Sequence, residues 1–205
     1  MAQNNIIDSF YTIQQNSTSY FVEKRSKFYG YAYNVETEEE VDKILSDIKI
    51  EHYKATHHCY AYRLGYNETE RYRINDDGEP SSTAGRPIYG QILSKDLTNI
   101  LIIVVRYYGG TKLGVPGLIN AYKTSAAMAI ENNKILKKII YDSIFFSYNY
   151  ANINLGMRFI KDENLEIISQ SYDNNNVTTE VKCRLSKIEE IKFKIDNTYG
   201  LNLIS

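Results

Sequence analysis

The feature that most constrains the fold is an apolar run at residues 100–105 that leads directly into a glycine-rich segment. The run has the length of a strand buried on both faces and is too short for an ordinary helix. Beyond the glycines, apolar residues recur at helical spacing from Leu118 to Ile130. The sequence therefore predicts a buried strand, a glycine-rich turn and a helix, in that order.

This turn is a candidate anion site. A strand that enters a helix through a glycine-rich turn exposes backbone N–H groups at the positive end of the helix dipole. The candidate phosphate ligands are Arg106, Gly109, Gly110, Thr111, Lys112 and Gly114, and the candidates for stacking on a base are Tyr107 and Tyr108. The spacing matches neither a Walker loop nor the dinucleotide fingerprint. Two interpretations stay open: a phosphate site, or glycines that serve only the turn.

Composition limits the possible partners. A chain of 205 residues with 43% hydrophobic residues folds into one domain or two small ones, and general disorder is excluded. Because 24 basic residues face 25 acidic ones, binding to nucleic acid has to come from a local patch. Residues 1–13 lack a signal-peptide pattern, and no apolar run is long enough to span a bilayer. We therefore expect a cytoplasmic protein without a membrane partner.

A second candidate region is the predicted strand at residues 54–63, in which His57 and Cys59 share one face and His58 lies on the other. Because the histidines point to opposite faces, we predict no metal site. A Cys59 nucleophile activated by His57 stays open, although the sequence identifies no third group to orient it.

Two further polar segments have open interpretations. Residues 76–87 combine acidic, hydroxyl and basic side chains, which suits either a polar ligand or a turn that caps the helix predicted at residues 88–93. Lys24, Arg25 and Lys27 crowd one short segment. This segment is either a solvated edge protected by charge or an edge that contacts phosphate.

The pattern of predicted strands and helices changes near Leu136, where we place a domain boundary. Beyond it the pattern predicts strand, helix, hairpin, helix and strand, which is the ferredoxin-like order β-α-β-β-α-β. Two capping boxes are predicted, one from Thr37 to Glu40 and one from Ser186 to Glu189. The fold class is therefore α+β with two domains, and the second one lacks histidine and any convergent catalytic set.

Three motifs in order carry a resemblance to a known family: KATHHCYAYR from residue 54, DDGEPSSTAGRP from residue 76 and VVRYYGGTKLG from residue 104. Over residues 18–132 the chain resembles the YigZ/Impact family. The resemblance implies an N-terminal domain at residues 1–136 similar to domain 2 of ribosomal protein S5, and a ferredoxin-like C-terminal domain at residues 137–205. It also implies a role in translation, because eukaryotic relatives compete for a ribosome-associated activator of an initiation-factor kinase. Where the family usually has glycine, this chain has Ser82 and Pro116, and proline removes one backbone donor.

Three functions are consistent with these observations. The leading hypothesis is a non-catalytic RNA- or ribosome-associated protein that modulates translation without a cofactor, with Arg63 and Arg86 extending the phosphate-binding patch. The second is an enzyme acting on a phosphorylated small molecule, whose acid or base is among His57, His58, Asp77 and Glu79. The third is a protein-interaction module that competes for a translation-regulatory partner.

Overall fold

The computed structural model describes residues 8–204, which form two compact units. The first unit spans Phe10–Lys138, and the second contains the chain from Ile139 onward together with Asp8 and Ser9. Helices and antiparallel sheets in both units confirm the two-domain α+β class. Residues 1–7 of the first proposed domain and Ser205 of the second lie outside the described residues.

The strands of the N-terminal part are β1 Ser9–Ile13, β2 Ser17–Glu23, β3 Ser26–Asn34, β4 His57–Leu64, β5 Arg71–Asn75, β6 Ile100–Tyr107 and β7 Ile135–Ile139. Five of them form one sheet in the order β2-β3-β6-β4-β5, and all its neighbouring strands are antiparallel. β1 and β7 form a separate two-stranded sheet.

The sheet is covered on both faces by the helices α1 Glu38–Glu51, α2 Gly85–Ser94 and α3 Gly114–Glu131. Cys59 and Ile102 pack on one face with Tyr122 of α3, while Tyr60 and Ile103 pack on the other in the core that includes α1. β6 lies in the centre, and every residue of it before Tyr107 is buried. This confirms the predicted strand buried on both faces and the alternation along β4.

Thr37 begins α1 through the predicted capping box. The backbone N–H of Glu40 donates to the Thr37 hydroxyl at 3.2 Å, and the Glu40 carboxylate accepts from the Thr37 backbone. A cap of this kind typically contributes about 1 kcal/mol.

The second unit contains β8 Tyr141–Asn149, α4 Ile153–Asp162, β9 Glu166–Tyr172, β10 Asn176–Arg184, α5 Ile188–Asp196 and β11 Asn202–Ile204. Its sheet has the order β11-β8-β10-β9. The β-α-β-β-α-β order matches the sequence prediction. Phe146 and Val181 of the sheet pack against Ile160 of α4 and Ile195 of α5 in one core.

The second predicted capping box is wrong. Lys187 is the N-cap of α5, with no side-chain cap, and the Ser186 hydroxyl donates instead to the carboxylate of Asp8. Arg184 also donates to Asp8, and hydrogen bonds from Arg184 and Ser186 lower the pKa of Asp8 to about 2. A charged acceptor such as the Asp8 carboxylate forms stronger hydrogen bonds than a neutral one. The Ser186 hydroxyl is therefore bonded to Asp8 and does not cap α5.

Aromatic side chains surround His52 at the C-terminal end of α1. The two ring nitrogens of His52 are hydrogen-bonded to the hydroxyls of Tyr31 and Tyr107. Burial lowers the pKa of His52 below its ordinary value of 6.5, while burial and the nearby Glu51 raise the pKa of Tyr31 to about 12. The network is therefore most stable with a neutral imidazole.

His52 is expected to make the protein less stable in mild acid. Its folded-state pKa lies below 6.5, so the unfolded chain binds more protons as the pH falls through this range, and stability is lost. His52→Gln keeps a neutral donor and acceptor and cannot titrate. We expect the melting temperature of wild type to fall more than that of His52→Gln between pH about 7.5 and about 5.5. Equal falls in thermal unfolding experiments would contradict this role.

Candidate nucleic-acid interface

The glycine-rich segment forms the loop between β6 and α3, and the backbone requires glycine at two of its positions. A Cβ on Gly109 would lie 2.1 Å from the backbone carbonyl carbon of Arg25, so only glycine fits there. Gly110 has a φ of +84°, which side chains rarely adopt. The turn itself therefore requires both glycines. The close approach at Gly109 also places the loop that contains Arg25 beside the glycine-rich loop.

The neighbouring loop is the turn between β2 and β3. The backbone N–H of Gly109 donates to the Ser26 hydroxyl at 3.1 Å, which holds the two loops together. The two loops carry the exposed cations Lys24, Arg25 and Lys112, and exposed Lys27 follows as the second residue of β3. We call these four cations the cationic patch. None of the four has an ion-pair partner among residues 8–204. Their charge is therefore free to attract an anion.

The start of α3 adds backbone donors beside the patch. Leu113 occupies the N-cap position, and no side chain caps the helix there. Gly114 and Val115 in the first turn are exposed. The first N–H groups of a helix lack intrahelical partners, and the helix dipole favours negative charge at this end.

Arg106 does not belong to the exposed patch. Its Nη1 donates to Glu79 Oε1 at 2.5 Å, and the two side chains are only 6% and 3% exposed. Glu79 Oε1 also accepts from the Tyr122 hydroxyl at 2.8 Å, and burial raises the pKa of Tyr122, so that this hydroxyl stays protonated. Removing one partner of such a buried pair typically costs about 3–5 kcal/mol, because a charge is left buried without compensation.

A cavity of about 510 Å³ lies beside this ion pair. Its lining residues are His57, Glu79, Pro80, Arg106, Tyr108, Lys112, Leu113, Gly114, Val115 and Leu118. The Nδ1–H of His57 donates to the carbonyl oxygen of Asp77 at 2.7 Å. In the neutral imidazole this leaves Nε2 as an acceptor, 3.8 Å from Glu79 Oε1. The three motifs thus contribute to one cavity.

Other predicted site residues lie away from the cavity lining. The Asp77 carboxylate accepts from the backbone N–H of His58 at 2.6 Å, and His58 Nε2 donates to the His52 carbonyl oxygen at 3.2 Å. Arg63 pairs with Glu70 and Asp96, at 2.7 Å and 3.1 Å. Each of these three side chains therefore already has a partner within the protein.

The remaining predicted contacts are divided between the surface and the interior. Arg86 in the first turn of α2 and Thr111 in the loop are exposed. Tyr108 is 48% exposed, whereas Tyr107 is partly buried and bonds His52. Of the two candidates for stacking, Tyr108 has the more accessible ring.

Cys59 has no position suited to nucleophilic catalysis. Its side chain is fully buried, and its thiol donates to the Asp76 carbonyl oxygen at 3.0 Å. Burial raises the pKa of Cys59, which disfavours the reactive thiolate. Among residues 8–204, the His, Cys, Asp and Glu side chains form no group of three that could hold a metal ion.

Asp76 has a capping role that the sequence left open. One of its carboxylate oxygens accepts from the backbone N–H groups of Ala84 and Gly85, at 2.9 Å and 2.8 Å, and the other accepts from Ser82. This bears out the interpretation of the segment as a turn that caps the following helix. Tyr122, which shares Glu79 with Arg106, was missed because it looks like an ordinary core residue of α3.

No helix within the described part of the chain is long and apolar enough to cross a membrane.

Gly109→Ala should separate the two loops. The added Cβ would collide with backbone atoms of Arg25, so we expect a loss of about 1–3 kcal/mol in the free energy of unfolding. Gly90→Ala is the matched control, because its Cβ would meet nothing within 4 Å and it lies inside α2. It should be neutral or stabilise by about 0.5–1 kcal/mol. Chemical denaturation of both variants tests this, and similar stabilities would contradict the proposed loop contact.

Comparisons with known proteins show which family this sequence matches. The model of the Impact N-terminal domain matches residues 24–130. The IMPACT family member YvyE of Bacillus subtilis (strain 168) is 33% identical over 146 residues, which cover 71% of this chain and 67% of that protein. The IMPACT family member YigZ of Escherichia coli (strain K12) is 36% identical over 100 residues, covering 48% of this chain and 49% of YigZ.

The fold also has a counterpart among solved structures. A crystal structure described as that of a hypothetical protein matches with a TM-score of 0.71 and 26% sequence identity, over 98% of each chain. The match therefore extends through both units. Together with the family-model match and the shared identity with YvyE, it leads to one conclusion: the chain belongs to the YigZ/IMPACT family.

Proposed function

We propose that this protein is a non-catalytic RNA- or ribosome-associated protein that modulates translation. What supports the translation role is the resemblance to the YigZ/Impact family, which implies that eukaryotic relatives compete for a ribosome-associated activator of an initiation-factor kinase. The proposal implies a cytoplasmic location, because the ribosome would be the site of action. It requires neither a cofactor nor a metal.

The observation that carries the proposal is the contact between Gly109 and the Arg25 backbone, which joins two loops into the cationic patch. The whole chain has a net charge of -1, so this local concentration of unpaired positive charge is not a consequence of composition. Exposed lysine and arginine side chains with free backbone N–H groups are the usual contacts of a phosphate backbone. Tyr108, 48% exposed at the edge of the patch, offers a ring for stacking on a base.

Phosphate contacts make binding sensitive to salt, because each contact releases counterions from the nucleic acid. If all four cations of the patch contact phosphates of a single strand, affinity should fall about 50-fold between about 50 and about 200 mM salt. A protein that recognises its partner by apolar contacts would show a much smaller dependence.

Arg25→Glu/Lys112→Glu tests the patch directly. Both side chains are exposed, so the fold should tolerate the change, whereas Arg106 is unsuitable because it is buried in an ion pair. We expect RNA affinity to fall by at least about tenfold and the log–log salt slope to shrink by about 1.4, or about 0.7 for each lost contact. Fluorescence anisotropy with labelled single-stranded RNA, and co-sedimentation with ribosomes, would measure this.

The matched control is Lys43→Glu/Lys95→Glu, which changes the total charge equally at exposed positions on α1 and after α2. This variant should keep most of the wild-type affinity. Equal losses in both double variants, or no wild-type binding, would refute the proposal. Ribosome association that survives nuclease treatment and the patch reversal would instead favour a protein partner. Reconstituted translation with wild type and the patch variant then tests whether binding alters protein synthesis.

A further inference from the structure

We infer that the cavity beside the cationic patch receives one unpaired nucleobase of the bound RNA. This inference rests on the proposed function, since it requires RNA to lie along the patch. Lys112 belongs to the patch and also lines the cavity, so a phosphate bound at the patch would place its base near the cavity.

The size and walls of the cavity suit a planar, largely apolar ring. Its volume of about 510 Å³ lies within the range of about 300–1,000 Å³ typical of small-ligand sites. Pro80, Leu113, Val115 and Leu118 provide apolar wall, and Tyr108 provides an aromatic ring. Proteins that bind single-stranded RNA commonly hold unstacked bases on aromatic side chains.

The electrostatics of the interior favour an uncharged group over a phosphate. The positive charge of Arg106 is compensated by Glu79 at 2.5 Å, so this pair offers no net charge to an anion. Lys112, in contrast, is exposed. A phosphate is therefore favoured beside Lys112, and a neutral polar ring beside the compensated pair of Arg106 and Glu79.

The polar atoms in the cavity match the edge of a base. Arg106 lines the cavity, and its Nε is a buried donor without a hydrogen-bond partner among residues 8–204. In the neutral imidazole, in which Nδ1–H donates to the Asp77 carbonyl oxygen, His57 Nε2 is an acceptor for an exocyclic amino or imino N–H. Bases present donors and acceptors together on one edge and apolar surface on both faces.

Tyr108 connects the interior with the surface. Its ring lies 5.5 Å from the Arg106 guanidinium carbon, a cation–π distance, and it is 48% exposed. Because Tyr108 also lines the cavity, its ring is available to stack on a base held there.

The test compares binding of two single strands of about 12 nucleotides, oligouridine and an abasic strand with the same number of phosphates. Wild type should bind oligouridine about tenfold more tightly than the abasic strand. Val115→Trp places a bulky ring at an exposed lining position and should abolish this preference by lowering the affinity for oligouridine to that for the abasic strand. Ile119→Trp, at a 38% exposed position of the same helix outside the cavity lining, should keep the preference.

A second variant covers the case in which Val115→Trp does not fold, or in which its new ring itself stacks on a base. Tyr108→Leu should reduce the preference for oligouridine without changing the salt dependence, while Tyr72→Leu, 60% exposed on β5, should leave both unchanged. Equal wild-type affinity for the two strands, or a preference that survives both cavity variants, would overturn the inference and leave the patch proposal standing. No wild-type binding to either strand would refute the proposed function itself, and the inference with it.

Discussion

The buried ion pair between Arg106 and Glu79 is the interaction around which the N-terminal unit is arranged. Arg106 is the second-last residue of the central strand β6, and Glu79 comes from the turn before α2. Tyr122 of α3 donates to the same carboxylate oxygen as Arg106. A charge in a buried strand has to be compensated, and this requirement keeps the turn and the helix against the sheet. The second and third motifs therefore meet for a structural reason.

In the proposed function, the ion pair also separates phosphate recognition from base recognition. Because Glu79 compensates Arg106, the proposed attraction for phosphate is left to the exposed cations near Gly109. The cavity beneath retains buried donors and acceptors without free charge from this pair. An interface built in this way would hold a strand by its backbone and contact a base at one position.

Local patterns in the sequence were sufficient for most of the secondary structure. The apolar run of β6, the helical spacing of α3 and the capping box at Thr37 all formed as predicted, because each depends on residues within a few positions. The predicted cap at Ser186 failed for the opposite reason. Asp8, 178 residues away in the chain, accepts its hydroxyl hydrogen bond, and no local pattern contains that acceptor.

In the candidate site, too, some features depend on neighbouring residues and others on distant ones. From the sequence alone we could predict a glycine-rich loop between a buried strand and a helix, with basic residues there and at residues 24–27. Which of these cations stay free depends on packing. Arg106 is buried against Glu79, 27 residues away in the chain, whereas Lys112 remains exposed. Burial and distant partners control the availability of a charge, and both arise only when the chain packs.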